Sequence, residues 1–339
     1  MRAPSPRGSL YVDAVPAITH VARLDAEYVL PLRWLDDGEL DGLIGYLERL
    51  CAEIDVTVID GSPAALFANH AWKLPKRVRH LAPDPWPGRN GKVGGVMTGI
   101  HRSRHERIVI ADDDIRYSPS MLERTVGLLD EAQLVRPQNY FLRLPWHARW
   151  DTARSLVNRA MGADYPGTLA VRREAVLDAG GYDGDVLFEN LELIRTLVAG
   201  GGREVRANSV FVGRTPPSLA HFLSQRVRQA YDDFAQPGRL MFELAMLPAM
   251  VLLARRPPLL AAAAVSMCAM AEVGRRRDGG RAAFPATSAL WAPTWVLERA
   301  FCVWAALGQR MLGGVRYAGQ RMPRAGTSLA ALRRRREAS

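Results

Sequence analysis

The segment Ile108-Val109-Ile110-Ala111, running directly into Asp112, Asp113 and Asp114, constrains this chain more than any other. A short, wholly apolar run bounded by polar residues reads as a strand buried on both faces. Three adjacent carboxylates in the following turn repel one another unless a cation or hydrogen-bond donors absorb the charge. Asp112 and Asp114 are two residues apart, so on an extended backbone they point to the same side. Hard oxygen donors so placed suit Mg²⁺ or Mn²⁺ shared with substrate phosphates. A solvated acidic turn capping the next helix would use the same residues.

The preceding sequence supplies more strands of the same kind. Tyr28 to Leu32 is a short apolar run, Val56 to Ile59 is a second that ends at Asp60-Gly61-Ser62, and Arg77 to Leu81 offers a third. Between the first two, Leu40, Leu43, Ile44, Leu47 and Leu50 recur at helical spacing, predicting an amphipathic helix over 38–52. Asn90 to His101 is glycine-rich and then helical in character, and 119–131 predicts another helix. Strands alternating with helices imply an α/β fold with a mostly parallel sheet covered on both faces. Ligands of such sheets bind beyond the carboxyl ends of the strands, where Asp60 and the Asp112 cluster fall. Asn90-Gly91-Lys92 adds a cation on a flexible backbone, suited to a phosphate.

Composition narrows the partners. The formal charge of +10 points to acidic ligands. There is no recognised nucleic-acid-reading module and no interleaving of aromatic with basic residues, so nucleic acid is not an expected partner. Three widely spaced cysteines, Cys51, Cys268 and Cys302, form neither a metal-ligand pattern nor a disulfide framework, which fits a reducing compartment. The first residues, MRAPSPRGSL, lack the apolar core of a signal peptide, so a cytoplasmic catalytic domain is expected.

Taken in order, these motifs resemble glycosyltransferase family 2, whose members are inverting enzymes with the glycosyltransferase A-type, nucleotide-diphospho-sugar transferase fold. The resemblance runs from about Tyr28 to Gln229. It implies that Asp60 contacts the nucleotide base and that Gly91-Lys92 opens a helix at the donor. It further implies that Asp112 contacts the nucleotide-sugar and Asp114 the metal, the two forming the Asp-x-Asp metal site, with Pro119 and Leu122 at the family's spacing beyond. A later block matches at Gly167, Arg172-Arg173, Gly180-Gly181-Tyr182-Asp183, Glu189-Asn190 and Leu193. The closing Gln-x-x-Arg-Trp signature is met by Gln225 and Arg228, with Gln229 in place of Trp.

Asn190 stands where the family places an Asp, the base that deprotonates the acceptor hydroxyl. An amide cannot accept that proton at neutral pH, so Glu189 is the expected base, with Glu192 one turn on as the alternative. The resemblance thus implies transfer of a sugar from a nucleotide-sugar to a lipid or glycan hydroxyl, with inversion and with Mg²⁺ or Mn²⁺ as cofactor. Uracil best suits an acceptor at Asp60, which puts a UDP-sugar first and a GDP-sugar second. Lys92 or Arg228 would neutralise the departing diphosphate. The alternative motivated by Asn190 is a weak or inactive sugar-nucleotide-binding scaffold of the same fold.

Beyond residue 235 the character changes. Leu240 to Ala254 is apolar except for Glu243, Leu259 to Ala271 is apolar again, and Phe284 to Gly308 carries three tryptophans but is split by Glu298-Arg299. A spanning helix needs about 20 apolar residues. The expected organisation is a lead-in over 1–25, a catalytic domain over 26–235, apolar membrane-associated helices over 236–322 and a basic tail over 323–339. Ceramide glucosyltransferases and other lipid-glycosylating members have a similar layout, which implies a catalytic domain at the cytoplasmic face of the cell membrane, acting on the cell envelope.

Overall fold

The computed structural model describes residues 23–338, so nearly all of the expected lead-in lies outside the described residues. The first half alternates as expected: β1 (Glu27–Leu32), α1 (Leu40–Glu53), β2 (Asp55–Asp60), α2 (Ala64–Lys73), β3 (Arg79–Leu81), α3 (Gly91–Arg102), β4 (Arg107–Ala111), β5 (Ile115–Arg116) and α4 (Pro119–Gly127). There follow β6 (Leu134–Phe141), α5 (Trp146–Met161), β7 (Thr168–Arg172), α6 (Arg173–Asp178), α7 (Glu189–Ala199), β8 (Glu204–Arg214) and α8 (Leu219–Ala230). The C-terminal part comprises α9 (Pro237–Leu253), α10 (Pro257–Arg276), α11 (Ala292–Met311), the hairpin β9 (Val315–Tyr317) and β10 (Gln320–Met322), and α12 (Leu329–Glu337).

Eight strands form one mixed sheet in the order β3-β2-β1-β4-β7-β6-β8-β5. The β3, β2, β1 and β4 block is parallel, as is β6 with β8. β7 runs antiparallel to both β4 and β6, and β5 to β8. Mostly parallel therefore holds: β6 and β8 run in the direction of β4, and only β7 and the short β5 are reversed.

The unbroken apolar runs have a plain cause. Along β1, Tyr28, Leu30 and Leu32 face one core with α1, while Val29 faces the other with α3. Along β4, Val109 and Ala111 join the first core and Ile108 and Ile110 the second. A strand buried on both faces needs apolar residues at every position. α3 lies so close on β1 that a Cβ on Gly99 would stand 2.2 Å from Val29 Cγ1.

The C-terminal helices pack back onto this body. Phe284, Ala292 and Trp295 share a core with Ala153 and Leu156 of α5, and Ala306 shares another with Leu187, Leu191 and Tyr231. The polar interruptions seen in the sequence turn inward. Glu243 and Arg299 are 3% and 4% exposed and lie 3.2 Å apart. The apolar residues turn outward: Met241, Phe242, Val251, Leu252, Val265 and Phe301 are all exposed. Among the described residues, one helix, over Pro257–Ala282, is long and apolar enough to cross a membrane.

Candidate active site

The acidic cluster leaves the end of β4 as expected, and the fold builds a ring of partners around it. Asp112 is held by its backbone, whose N–H donates to Gly167 O at 3.0 Å at the entry to β7. Gly167 is required by closeness: a Cβ there would stand 2.9 Å from Asp112 Oδ2. Asn90 caps α3 by accepting from Lys92 N at 3.2 Å, and its own amide donates to Val186 O at 2.9 Å. That cap ties the start of α3 to the loop before α7. Lys92 therefore reaches two carboxylates at once, with Nζ 2.5 Å from Asp112 Oδ1 and 2.5 Å from Glu189 Oε1. Burial pulls the ammonium pKa down, but Asp112 and Glu189 outweigh it and hold Lys92 well above its usual value.

Asp114 is served from the other side. Arg214, the last residue of β8, donates from Nε to Asp114 Oδ2 at 2.6 Å. Asp114 Oδ1 is buried and has no hydrogen-bond partner among the described residues. Burial raises the Asp114 pKa against the opposing pull of Arg214, and the neighbouring Asp112 adds to the rise. Asp113 points away and accepts from the indole of Trp34, in the loop after β1.

The remaining expected residues divide. Asn190 donates its amide to Pro166 O at 3.2 Å, a structural role at the start of α7. Glu192 is fully buried and accepts from Thr327 N at 2.6 Å, so it belongs to the anchoring of the C-terminal segment. Arg228 lies with its guanidinium 5.2 Å from the centroid of the Tyr317 ring. Burial pushes Arg228 down, with Glu189 and Asp112 among the charges opposing that shift. Gln225 contacts His221 at 3.1 Å, and its Oε1 is buried without a partner among the described residues.

Asp60 sits at the end of β2 but is held by its own chain. Oδ1 accepts from Ser62 N at 2.9 Å, and Oδ2 meets His70 Nδ1 at 2.6 Å and His80 Nε2 at 3.0 Å. Burial raises its pKa, but the hydrogen bonds from His80, Ser62 and His70 outweigh this and hold it well below the usual carboxylate range. Sequence reasoning missed Arg214, Trp34, Tyr317 and this histidine pair. Of these, only His70 left a trace, as a polar residue within the mainly apolar run Ala64 to Trp72.

Comparison with known proteins agrees with this fold. A mannosyltransferase from Pyrobaculum calidifontis, solved in complex with GDP-Man and Mn²⁺, shares the fold, with a TM-score of 0.50 at 20% identity over 84% of this chain and 87% of that one. Comparison with curated protein sequences returns no match. The sequence profile of glycosyltransferase like family 2 matches residues 53–232, just over half of the 339-residue chain. The chain thus belongs to glycosyltransferase like family 2.

Proposed function

We propose that this protein transfers a sugar from a nucleoside-diphosphate sugar to a hydroxyl of a lipid or glycan at a membrane face, inverting the anomeric centre. The observation that carries this reading is the convergence of Lys92, Asp112, Asp114 and Glu189 beyond the end of β4, from strands and helices far apart in sequence. The mannosyltransferase of like fold was solved with a nucleotide-sugar and a divalent ion, which supports the same donor class here.

The residues present fit a divalent cation. The unpartnered, buried Oδ1 of Asp114 and the neighbouring carboxylate of Asp112 would hold Mg²⁺ or Mn²⁺ through oxygen alone. A bound ion of this kind neutralises charge developing on the diphosphate. The chain's own cations do the rest. Lys92 moves from Glu189 onto the diphosphate when donor arrives, and Arg228 adds a second positive charge. That exchange frees the Glu189 carboxylate. Glu189 then takes the proton of the acceptor hydroxyl as its oxygen bonds to the anomeric carbon and the bond to the diphosphate breaks. Attack opposite the leaving group inverts that carbon.

The base of the donor lies at Asp60, where a ring N–H replaces Ser62 N–H on Oδ1. Uracil presents such a donor, which favours a UDP-sugar ahead of a GDP-sugar. Gln225, on the helix that carries Arg228, lines the same donor subsite. The outward apolar faces of α9, α10 and α11 form the membrane-facing side, and the basic residues Arg255, Arg256, Arg275 and Arg276 flank them. On this reading the catalytic body sits at the cytoplasmic face of the membrane, which the flanking positive charge supports. The division retained is a catalytic domain over 26–235, apolar helices over 236–322 and a basic tail over 323–339.

A thermal-shift screen of UDP- and GDP-sugars, with and without Mn²⁺, tests the donor assignment. Stabilisation by a UDP-sugar that requires Mn²⁺ is expected. Stabilisation by neither nucleotide class contradicts the reading.

A further inference from the structure

We propose that Asp60, His70 and His80 form a second divalent-metal site, of nitrogen–oxygen type and fitted to Zn²⁺, sharing no residue with the acidic cluster. The ligand atoms of these three residues all lie within 4.8 Å of one another. They come from the end of β2, from α2 and from β3. Two imidazoles aim at a single carboxylate oxygen, Asp60 Oδ2, at 2.6 and 3.0 Å. The other nitrogen of His70, Nε2, lies 2.8 Å from Asp37 Oδ1.

That last contact is the partner a metal-bound histidine normally has: a carboxylate on the far ring nitrogen fixes the tautomer and strengthens the ligand. His80 is oriented by stacking on Phe67, ring centroids 4.3 Å apart. Trp34 meets the His70 ring edge-on at 5.8 Å. The ligands are thus held in place by packing as well as by one another.

Charge favours a cation. Both nitrogens of His70 face carboxylate oxygens, an arrangement that suits a positive charge between them. Two carboxylates, the buried Asp60 and the partly exposed Asp37, flank the His70 ring, with His80 also on Asp60. A divalent ion with two neutral imidazoles matches both carboxylates. With the ion on Nδ1, the far Nε2–H would donate to Asp37. Zn²⁺ with bonds of about 2.0–2.2 Å sets neighbouring ligands about 3.3 Å apart, so the contacts of His70 and His80 to Asp60 open by about 0.7 and about 0.3 Å. Mixed imidazole and carboxylate donors select Zn²⁺ over Mg²⁺, and three protein ligands leave a position for water. The ion would cross-link β2, α2, β3 and the loop carrying Asp37. It would occupy Asp60 Oδ2 and leave Oδ1 for the contact now made by Ser62.

The test uses the full chain, stripped with a chelator and titrated with Co²⁺, which reports donor type through its visible absorption. The expected result is a saturable band of four- or five-coordinate Co²⁺, displaced by Zn²⁺, absent in His80→Asn and intact in Asp114→Asn. Zn²⁺ should raise the melting temperature of the wild type but not of His80→Asn. Asp37→Asn should weaken Zn²⁺ by about 10–100-fold. Circular dichroism of each variant separates loss of the site from loss of the fold. No band in the wild type, a band that survives His80→Asn, or a band lost only in Asp114→Asn each overturns the proposal. The Co²⁺ and Zn²⁺ readouts are taken without nucleotide-sugar, so their failure leaves the acidic cluster and Glu189 untouched, although Asp60 is common to this site and the proposed donor subsite.

Discussion

Lys92 Nζ stands 2.5 Å from Glu189 Oε1 and, at the same distance, from Asp112 Oδ1. One partly buried cation thus joins the end of β4 to the start of α7, and it keeps the expected base occupied until a diphosphate competes for it. Glu189→Gln should lower kcat by about 10²–10⁴ with little change in the donor KM. Asn190→Asp should give no gain, since it loses the amide bond to Pro166 O and sets two acceptors against each other. Steady-state kinetics of both variants decides this. Wild-type turnover in Glu189→Gln would move the base elsewhere.

Gly167 tests Asp112 without altering any charged residue. Adding one methyl group places a carbon 2.9 Å from Asp112 Oδ2, and that carboxylate is the movable partner. Gly167→Ala should fold, shift Asp112, and weaken Mn²⁺-dependent nucleotide binding by about tenfold or more, as a lost charged hydrogen bond would. Calorimetry reads this directly, and unchanged affinity would show that Asp112 does not touch the donor.

Much of this site was legible in the sequence, and the reason is local. Asp112, Asp114, Lys92 and Asp60 each sit at the end of an apolar strand or the start of a helix, where periodicity stops and a polar residue must serve the ligand. β1, β2 and β4 were legible because strands buried on both faces are largely apolar, and α1 because its apolar residues recur at helical spacing. Arg214 was not, because it ends a strand of mixed burial and meets Asp114 only through the pairing of β8 with β5 and β6. Trp34 and Tyr317 reach the site from a loop and a late hairpin, and no spacing rule links either to Asp113 or Arg228. Glu192 looked like a spare base because sequence cannot show that Thr327 caps it.

His105 supplies a pH-dependent contribution. Its Nδ1 lies 2.8 Å from Asp25 Oδ1 and its Nε2 2.7 Å from Asp55 Oδ2. Burial lowers its pKa, but the bonds to Asp55 and Asp25 outweigh this and raise it above the ordinary 6.5. A raised histidine stabilises fully below its unfolded pKa, and the contribution fades as pH rises through the folded one. His105→Gln should therefore cost stability near about pH 6 and almost none near about pH 9. The cost should stay under about 1 kcal/mol because Asp25 is largely exposed. Urea midpoints at the two pH values measure it; equal losses would contradict the charged pairing.

The outward apolar faces predict attachment to bilayers. Phe242→Ser with Leu252→Ser replaces two exposed side chains of α9, so folding should be kept while co-sedimentation with anionic phospholipid vesicles falls several-fold. Equal sedimentation of the double variant and the wild type would remove α9 from the membrane face.

The central claim is that the carboxylates after β4 hold a metal against a nucleotide-sugar. Release of nucleoside diphosphate from a UDP-sugar, in the presence of membrane lipid and Mn²⁺, tests it most directly. The wild type should release diphosphate only with the ion present, and Asp114→Asn should abolish release while remaining folded. Equal release by the wild type and Asp114→Asn, or release indifferent to Mn²⁺, would contradict the account.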